Sequence, residues 1–166
     1  VGKYKTDSAK YFINELNPNI IVNLFTMDVM DNAIDNIIPK YDVIIDCTDN
    51  FKTRYRIADS CELHSKPYIM GVVRGYEGQL TTIVPNNISY NNPKIRDIYD
   101  ELSIQDINES CADEGVLSIT TGLVGTLMAS EAIKIILDIN HLLIGKLLLV
   151  DLLNIKFEII NYTSNE

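Results

Sequence analysis

A chain of 166 residues, 46% hydrophobic and 22% charged, has the length of one globular domain with a core of its own. Its formal net charge of -9 argues against a nucleic-acid surface, which needs clustered cations. Three widely spaced cysteines, Cys47, Cys61 and Cys111, argue against a secreted disulfide framework and cannot form a four-thiolate zinc site. The apolar stretches read as too short to span a bilayer, and no basic-then-apolar leader precedes them, so no membrane partner and a cytoplasmic location are expected.

In chain order, Ala9, Phe12, Ile13 and Leu16 recur at helical spacing before Asn17-Pro18, which predicts a helix over Lys5–Leu16. Residues 20–26 are apolar and rich in β-formers, and predict a strand. Residues 32–38 read as a short helix closed by Pro39, 43–47 as a strand and 51–64 as a helix. Residues 67–73 and 79–84 read as two strands around the turn Arg74-Gly75-Tyr76-Glu77-Gly78. From 85 to 115 Asn, Asp, Ser and Tyr dominate, which predicts a long mobile loop with a short helix near 98–102. Residues 116–139 read as a long apolar helix, and Lys146–Asp151 with 155–161 as a terminal hairpin. This alternation predicts one α/β domain over 1–166, a mostly parallel sheet flanked by helices with antiparallel strands added late.

The run YDVIIDCTDN ends in Asp46-Cys47-Thr48-Asp49-Asn50. Ligands of parallel sheets sit beyond strand carboxyl ends. There Asp49 either helps to hold a metal–phosphate group or, with Asn50, caps the next helix. Asp46 and Thr48 read as shaping the turn by local hydrogen bonds. Arg54 is expected to meet a carboxylate or phosphate, or to form a surface ion pair. Lys5, at a helix start, is either a phosphate-binding point charge or a solvated lysine. Cys111 precedes the long helix, whose N-terminus favours a thiolate, whereas Asp113 and Glu114 oppose one. Cys47 and Cys61 read as packing, Gly71, Gly75 and Gly78 as turn glycines, and Gly122 and Gly125 as close-packing positions. Glu131 reads as polar surface or an interface, and His64 and His141 lack ligand-spaced partners. There is no G-x-G-x-x-G turn, and the chain opens on Val1 with a helix already under way, so it is expected to be the later part of a longer domain.

Several segments carry a resemblance. Val1 to Ala9 is similar to V-G-x-x-K-x-x-x-A, Asp46 to Asn50 to D-x-T-D-N, and Asp49 to Arg54 to D-N-x-x-x-R. Glu77-Gly78-Gln79 matches E-G-Q, and Cys111 to Val116 matches C-x-x-x-G-V. Together they resemble the nucleotide-binding domain of the ThiF/MoeB/HesA adenylyltransferases, relatives of the ubiquitin-activating enzymes, over nearly the whole chain. The resemblance implies a Rossmann-like fold whose glycine-loop βα portion is missing, a homodimer, and ATP and magnesium as cofactors. It places Lys5 on the nucleotide phosphates, Asp49 and Asn50 at the nucleotide with Asp49 holding magnesium through ATP, and Cys111 as a thiol that joins the carrier or relays sulfur. The implied reaction is adenylylation of the C-terminal carboxylate of a ubiquitin-like sulfur-carrier protein, of molybdopterin or thiamine biosynthesis type, with residues 1–166 alone inactive. Most bacterial members bind zinc through two C-x-x-C pairs; this chain has none, so no zinc is expected. Other readings stay open: the same chemistry on a peptide or tRNA-linked carboxylate, or a non-catalytic partner subunit. A nicotinamide oxidoreductase ranks last, because the matching segments are not redox motifs.

Overall fold

The computed structural model describes residues 2–86, 93–101 and 115–164. Its elements are α1 (Lys5–Leu16), α2 (Ile34–Ile37) with a 3-10 turn (Ile38–Lys40), β1 (Ile44–Asp46), α3 (Phe51–Leu63), β2 (Tyr68–Arg74) and β3 (Glu77–Ile83). A second 3-10 turn (Ile95–Asp97), α4 (Ser118–Ile136), β4 (Lys146–Asp151) and β5 (Lys156–Asn161) follow. The five described strands form one sheet in the order β1-β2-β3-β4-β5, flanked by helices. β1 and β2 are parallel, with Asp46 opposite Met70, and the later pairs are antiparallel. The α/β class and the late antiparallel strands are as expected, while the parallel share of the described sheet is one pair.

The expected strand over 20–26 does not form. The run has the right composition, but a strand exists only through a neighbour's hydrogen bonds, and no described backbone pairs with it. Ile21 is 87% exposed as a result. α1, by contrast, has both expected ends, since its hydrogen bonds are internal; the Asn17 N–H closes it on the Ile13 carbonyl at 2.8 Å.

The strand period of two divides the core between the two faces of the sheet. Tyr68 and Met70 turn to one side and pack with Tyr55, Ile57 and Cys61 of α3. Ile69 turns to the other and packs with Leu80 and with Val124, Met128 and Ala132 of α4. Gly71 and Gly78 belong to this second face and are not turn glycines as expected. A Cβ on Gly71 would lie 2.4 Å from Met128 Sδ, and one on Gly78 2.5 Å from Val124 Cγ2, so bare backbone lets α4 sit close to the sheet. Gly75 does make the turn, at φ +51°. Gly122 and Gly125, expected as close-packing positions, meet nothing within 4 Å among the described residues.

Glu131 is buried, not a surface residue. Its Oε2 accepts from Thr82 Oγ1 at 2.7 Å and from the Leu143 N–H at 2.9 Å, while Oε1 pairs with Lys134. α4 is 19 residues long with a hydropathy of 1.3, so by length and composition it could cross a membrane, contrary to the expectation of no such stretch. Here it is seated on β2 and β3 and carries the Glu131–Lys134 pair. Within the expected loop, the described part is held against α3: Ile95 is 2% exposed and Arg96 pairs with Asp59 and Glu101. It contains the 3-10 turn at Ile95–Asp97; of the short helix expected near 98–102, Glu101 is helical and residue 102 lies outside the described residues.

Candidate functional site

β1 ends at Asp46, and the turn from Cys47 to Asn50 leads into α3. This is the carboxyl end of a strand that pairs in parallel, the position where α/β folds place ligands. Asp46 itself is 2% exposed and shapes the turn as expected. Its Oδ1 accepts from the Thr48 N–H at 2.8 Å, and its Oδ2 accepts from Tyr68 Oη at 2.6 Å. Burial, reinforced by the Asp46 charge, drives the Tyr68 phenol far above its usual pKa, so it stays a donor.

Arg54 departs from expectation. It is 3% exposed, faces inward from α3, and pairs with no carboxylate among the described residues. Its Nη1 donates to the Gly71 carbonyl at 2.8 Å and its Nη2 to the Thr48 carbonyl. Its guanidinium carbon stands 5.6 Å from the centroid of the Phe51 ring. The turn is thus fastened to β1, β2 and α3 at once.

Asn50 caps α3, its side chain accepting from the Thr53 N–H at 2.9 Å. With that role filled by Asn50, the exposed Asp49 carboxylate accepts one hydrogen bond among the described residues, from Asn50 Nδ2 at 3.3 Å. The Thr48 hydroxyl beside it is buried with no hydrogen-bond partner among the described residues, so Thr48 shapes the turn through its backbone N–H on Asp46 and not through its side chain. An orphaned hydroxyl next to an exposed carboxylate, at a helix N-terminus that favours anions, suits a metal-bound phosphate. The rings of Phe51, at the start of α3, and Tyr99 meet at a tilt of 48° with centroids 4.9 Å apart, and Tyr99 Oη donates to Gln79 of the E-G-Q triplet.

The other expected site residues are placed differently. Lys5 is exposed on the first turn of α1, and no hydrogen bond or ion pair joins it to Asp49 or Asn50. Thr6 ties that turn to Thr26, with their hydroxyls 3.3 Å apart. Cys111 lies outside the described residues. The described segment after it, at Val116, bridges Gly75, and Thr120 Oγ1 donates to the Gly75 carbonyl at 2.7 Å. Cys61 is packing, as expected, with its thiol pushed up to about 12 by burial and then by Asp46. Cys47 is exposed, which corrects its reading as packing, because it follows the last β1 residue. Sequence reasoning missed the unpartnered Thr48 hydroxyl and the inward Arg54. The one available signal was that Arg54 shares a helix face with Ile57 and Cys61.

A family model described as ThiF family matches residues 1–166. The chain is 34% identical over 165 residues to the SAMP-activating enzyme E1 of Haloferax volcanii, covering 99% of this chain and 59% of that protein. It is 40% identical over 161 residues to a protein of Gracilaria tenuistipitata var. liui named "Probable molybdopterin-synthase adenylyltransferase", covering 95% and 43%. Among solved structures, Escherichia coli MccB with ATP superposes with a TM-score of 0.80 at 20% identity, over 98% of this chain and 49% of that one. That likeness concerns the fold. The chain spans about half the length of the relatives it matches.

Proposed function

The chain belongs to the ThiF family, and on that premise we propose that it is part of an enzyme that adenylylates the C-terminal carboxylate of a ubiquitin-like sulfur-carrier protein, of molybdopterin or thiamine biosynthesis type. The observation that carries the reading is the fastened turn after β1, with an exposed Asp49 beside an unpartnered Thr48 hydroxyl. The names of two relatives support it: one activates SAMP, and the other is a molybdopterin-synthase adenylyltransferase.

In the proposed reaction a carboxylate oxygen of the carrier forms a bond to the α-phosphorus of ATP, and the bond from that phosphorus to the bridging oxygen breaks. The products are an acyl adenylate and pyrophosphate. Asp49 would hold magnesium with its exposed carboxylate, and the metal would supply charge stabilisation for the phosphates. Asn50 fixes the α3 N-terminus and orients the Asp49 carboxylate. Lys5 brings a flexible cation to the phosphates. Cys111 acts afterwards, its thiolate attacking the acyl adenylate to give a thioester and release AMP.

The proposal includes a cytoplasmic homodimer without zinc. Residues 1–166 alone are poor catalysts, because they contain no glycine-rich loop to cradle the phosphates and loss of positioning lowers rate steeply. ATP–pyrophosphate exchange by the complete enzyme, with a panel of ubiquitin-like carriers, is the test. Exchange that depends on one carrier and its free C-terminus is the expected result. Carrier binding without exchange would favour a non-catalytic partner subunit, and exchange with short peptides alone would favour a peptide substrate.

A further inference from the structure

The three most buried polar groups near the site converge on a residue that is not charged. Asp46 and Arg54 are 2% and 3% exposed, and they hold the two ends of Thr48, the carboxylate taking its N–H and the guanidinium its carbonyl. Tyr68, 1% exposed, fixes the other carboxylate oxygen. No carboxylate among the described residues forms an ion pair with Arg54; its partners there are two carbonyls and the Phe51 face. Burying a cation and an anion without direct contact is costly, and apolar residues would fill such space more favourably. What the arrangement secures is the backbone of one residue, Thr48, through the peptide units on either side of it.

The second carbonyl on Arg54 shows why that residue needs holding. β1 and β2 pair as far as Asp46 and Met70. Gly71, the next residue of β2, gives its carbonyl to Arg54 instead of to a β1 N–H. Arg54 therefore spans the two chains where the parallel ladder stops, and its planar fork reaches both carbonyls at once. Asp49 is the next residue after Thr48, about 3.8 Å on along the trace. Without the clamp, Asp49 would sit on an unpaired four-residue turn.

We propose that Arg54 is a positioning residue for the reaction, setting the place of Asp49 by gripping the Thr48 carbonyl, with Asp46 as the opposing jaw. This rests on the role of Asp49 proposed above. Supporting groups behind a metal ligand commonly change metal affinity or activity by about 10–100-fold.

The experiment measures magnesium dependence and the ATP and carrier KM of exchange in the complete enzyme, for Arg54→Lys, Asp49→Asn and the double variant. A lysine keeps the charge but cannot fork to both carbonyls. The expected result is a rise of about tenfold or more in the magnesium and ATP concentrations needed, with carrier KM unchanged. In the Asp49→Asn background, Arg54→Lys should add less than about twofold, because both act through one carboxylate. Tyr68→Phe, which removes only the hydrogen bond to Asp46, should give a smaller shift of the same kind and stands in if Arg54→Lys does not fold. A lowered melting temperature with unchanged magnesium and ATP dependence, or effects that multiply in the double variant, would overturn the inference. Wild-type exchange by Asp49→Asn alone would overturn the role of Asp49 itself, and the positioning role with it.

Discussion

At the scale of single residues, the proposed site separates chemistry from packing. Asp49 is exposed and makes one side-chain contact, so Asp49→Asn removes charge with little structural cost. In the complete enzyme it should lower ATP–pyrophosphate exchange by at least about 100-fold while leaving the melting temperature nearly unchanged. Lys5→Ala should behave alike, since no side chain of α1 is buried. Cys111→Ala should spare exchange and block only a later thioester, because the adenylate forms first. Asp35 makes a different, structural prediction. Two hydrogen bonds from Arg56 and one from Ser60 Oγ hold its carboxyl at about 2, with Arg56 the main cause. A carboxyl depressed on folding adds stability above its unfolded pKa of 3.8 and loses it as pH falls toward 2. Melting temperature should therefore drop more steeply between about pH 4 and pH 2 in the wild type than in Asp35→Asn.

At the scale of elements, α4 and the sheet meet through missing side chains. Gly71 and Gly78 are mid-strand, where glycine ordinarily weakens a strand, yet each lies under Val124 or Met128 at a distance no Cβ tolerates. Gly71→Ala should push α4 outward and cost about 1–3 kcal/mol, read by denaturant unfolding. A cost below about 0.5 kcal/mol would mean that Met128 swings aside freely. The same contact bears on the site, because α4 also holds the β2–β3 turn through Thr120 and Gly75.

At the scale of the whole molecule, apolar surface is distributed unevenly. The core lies between α3, the sheet and α4, whereas Tyr11, Phe12 and Leu16 of α1 and Ile21 after it are at least 65% exposed. α4 adds Ile133 and Ile136, and every residue of β5 is exposed. Surfaces of this kind bind something. Residues 1–166 on their own are expected to self-associate and to bind a hydrophobic dye. A monodisperse monomer at about 100 μM with no dye binding would contradict that expectation.

Local patterns were legible because their hydrogen bonds or steric rules are local. The ends of α1, the Asn50 cap and the Gly75 turn all follow from a few adjacent residues. The motif around Asp46 to Asn50 marked a strand end for the same reason. Neighbours decided the rest. Residues 20–26 have strand composition but no partner, since strand hydrogen bonds come from elsewhere in the chain. Whether Arg54, Glu131 and Gly71 meet solvent or protein depends on which element is laid across them, and a one-dimensional pattern does not carry that information. The amino-acid sequence by itself determined the α/β class, the family and the position of Asp49 at a strand end. Only the tertiary structure decided that Arg54 turns inward and ties the residue before Asp49 to β2, because its bond to the Gly71 carbonyl joins groups 17 residues apart in the chain.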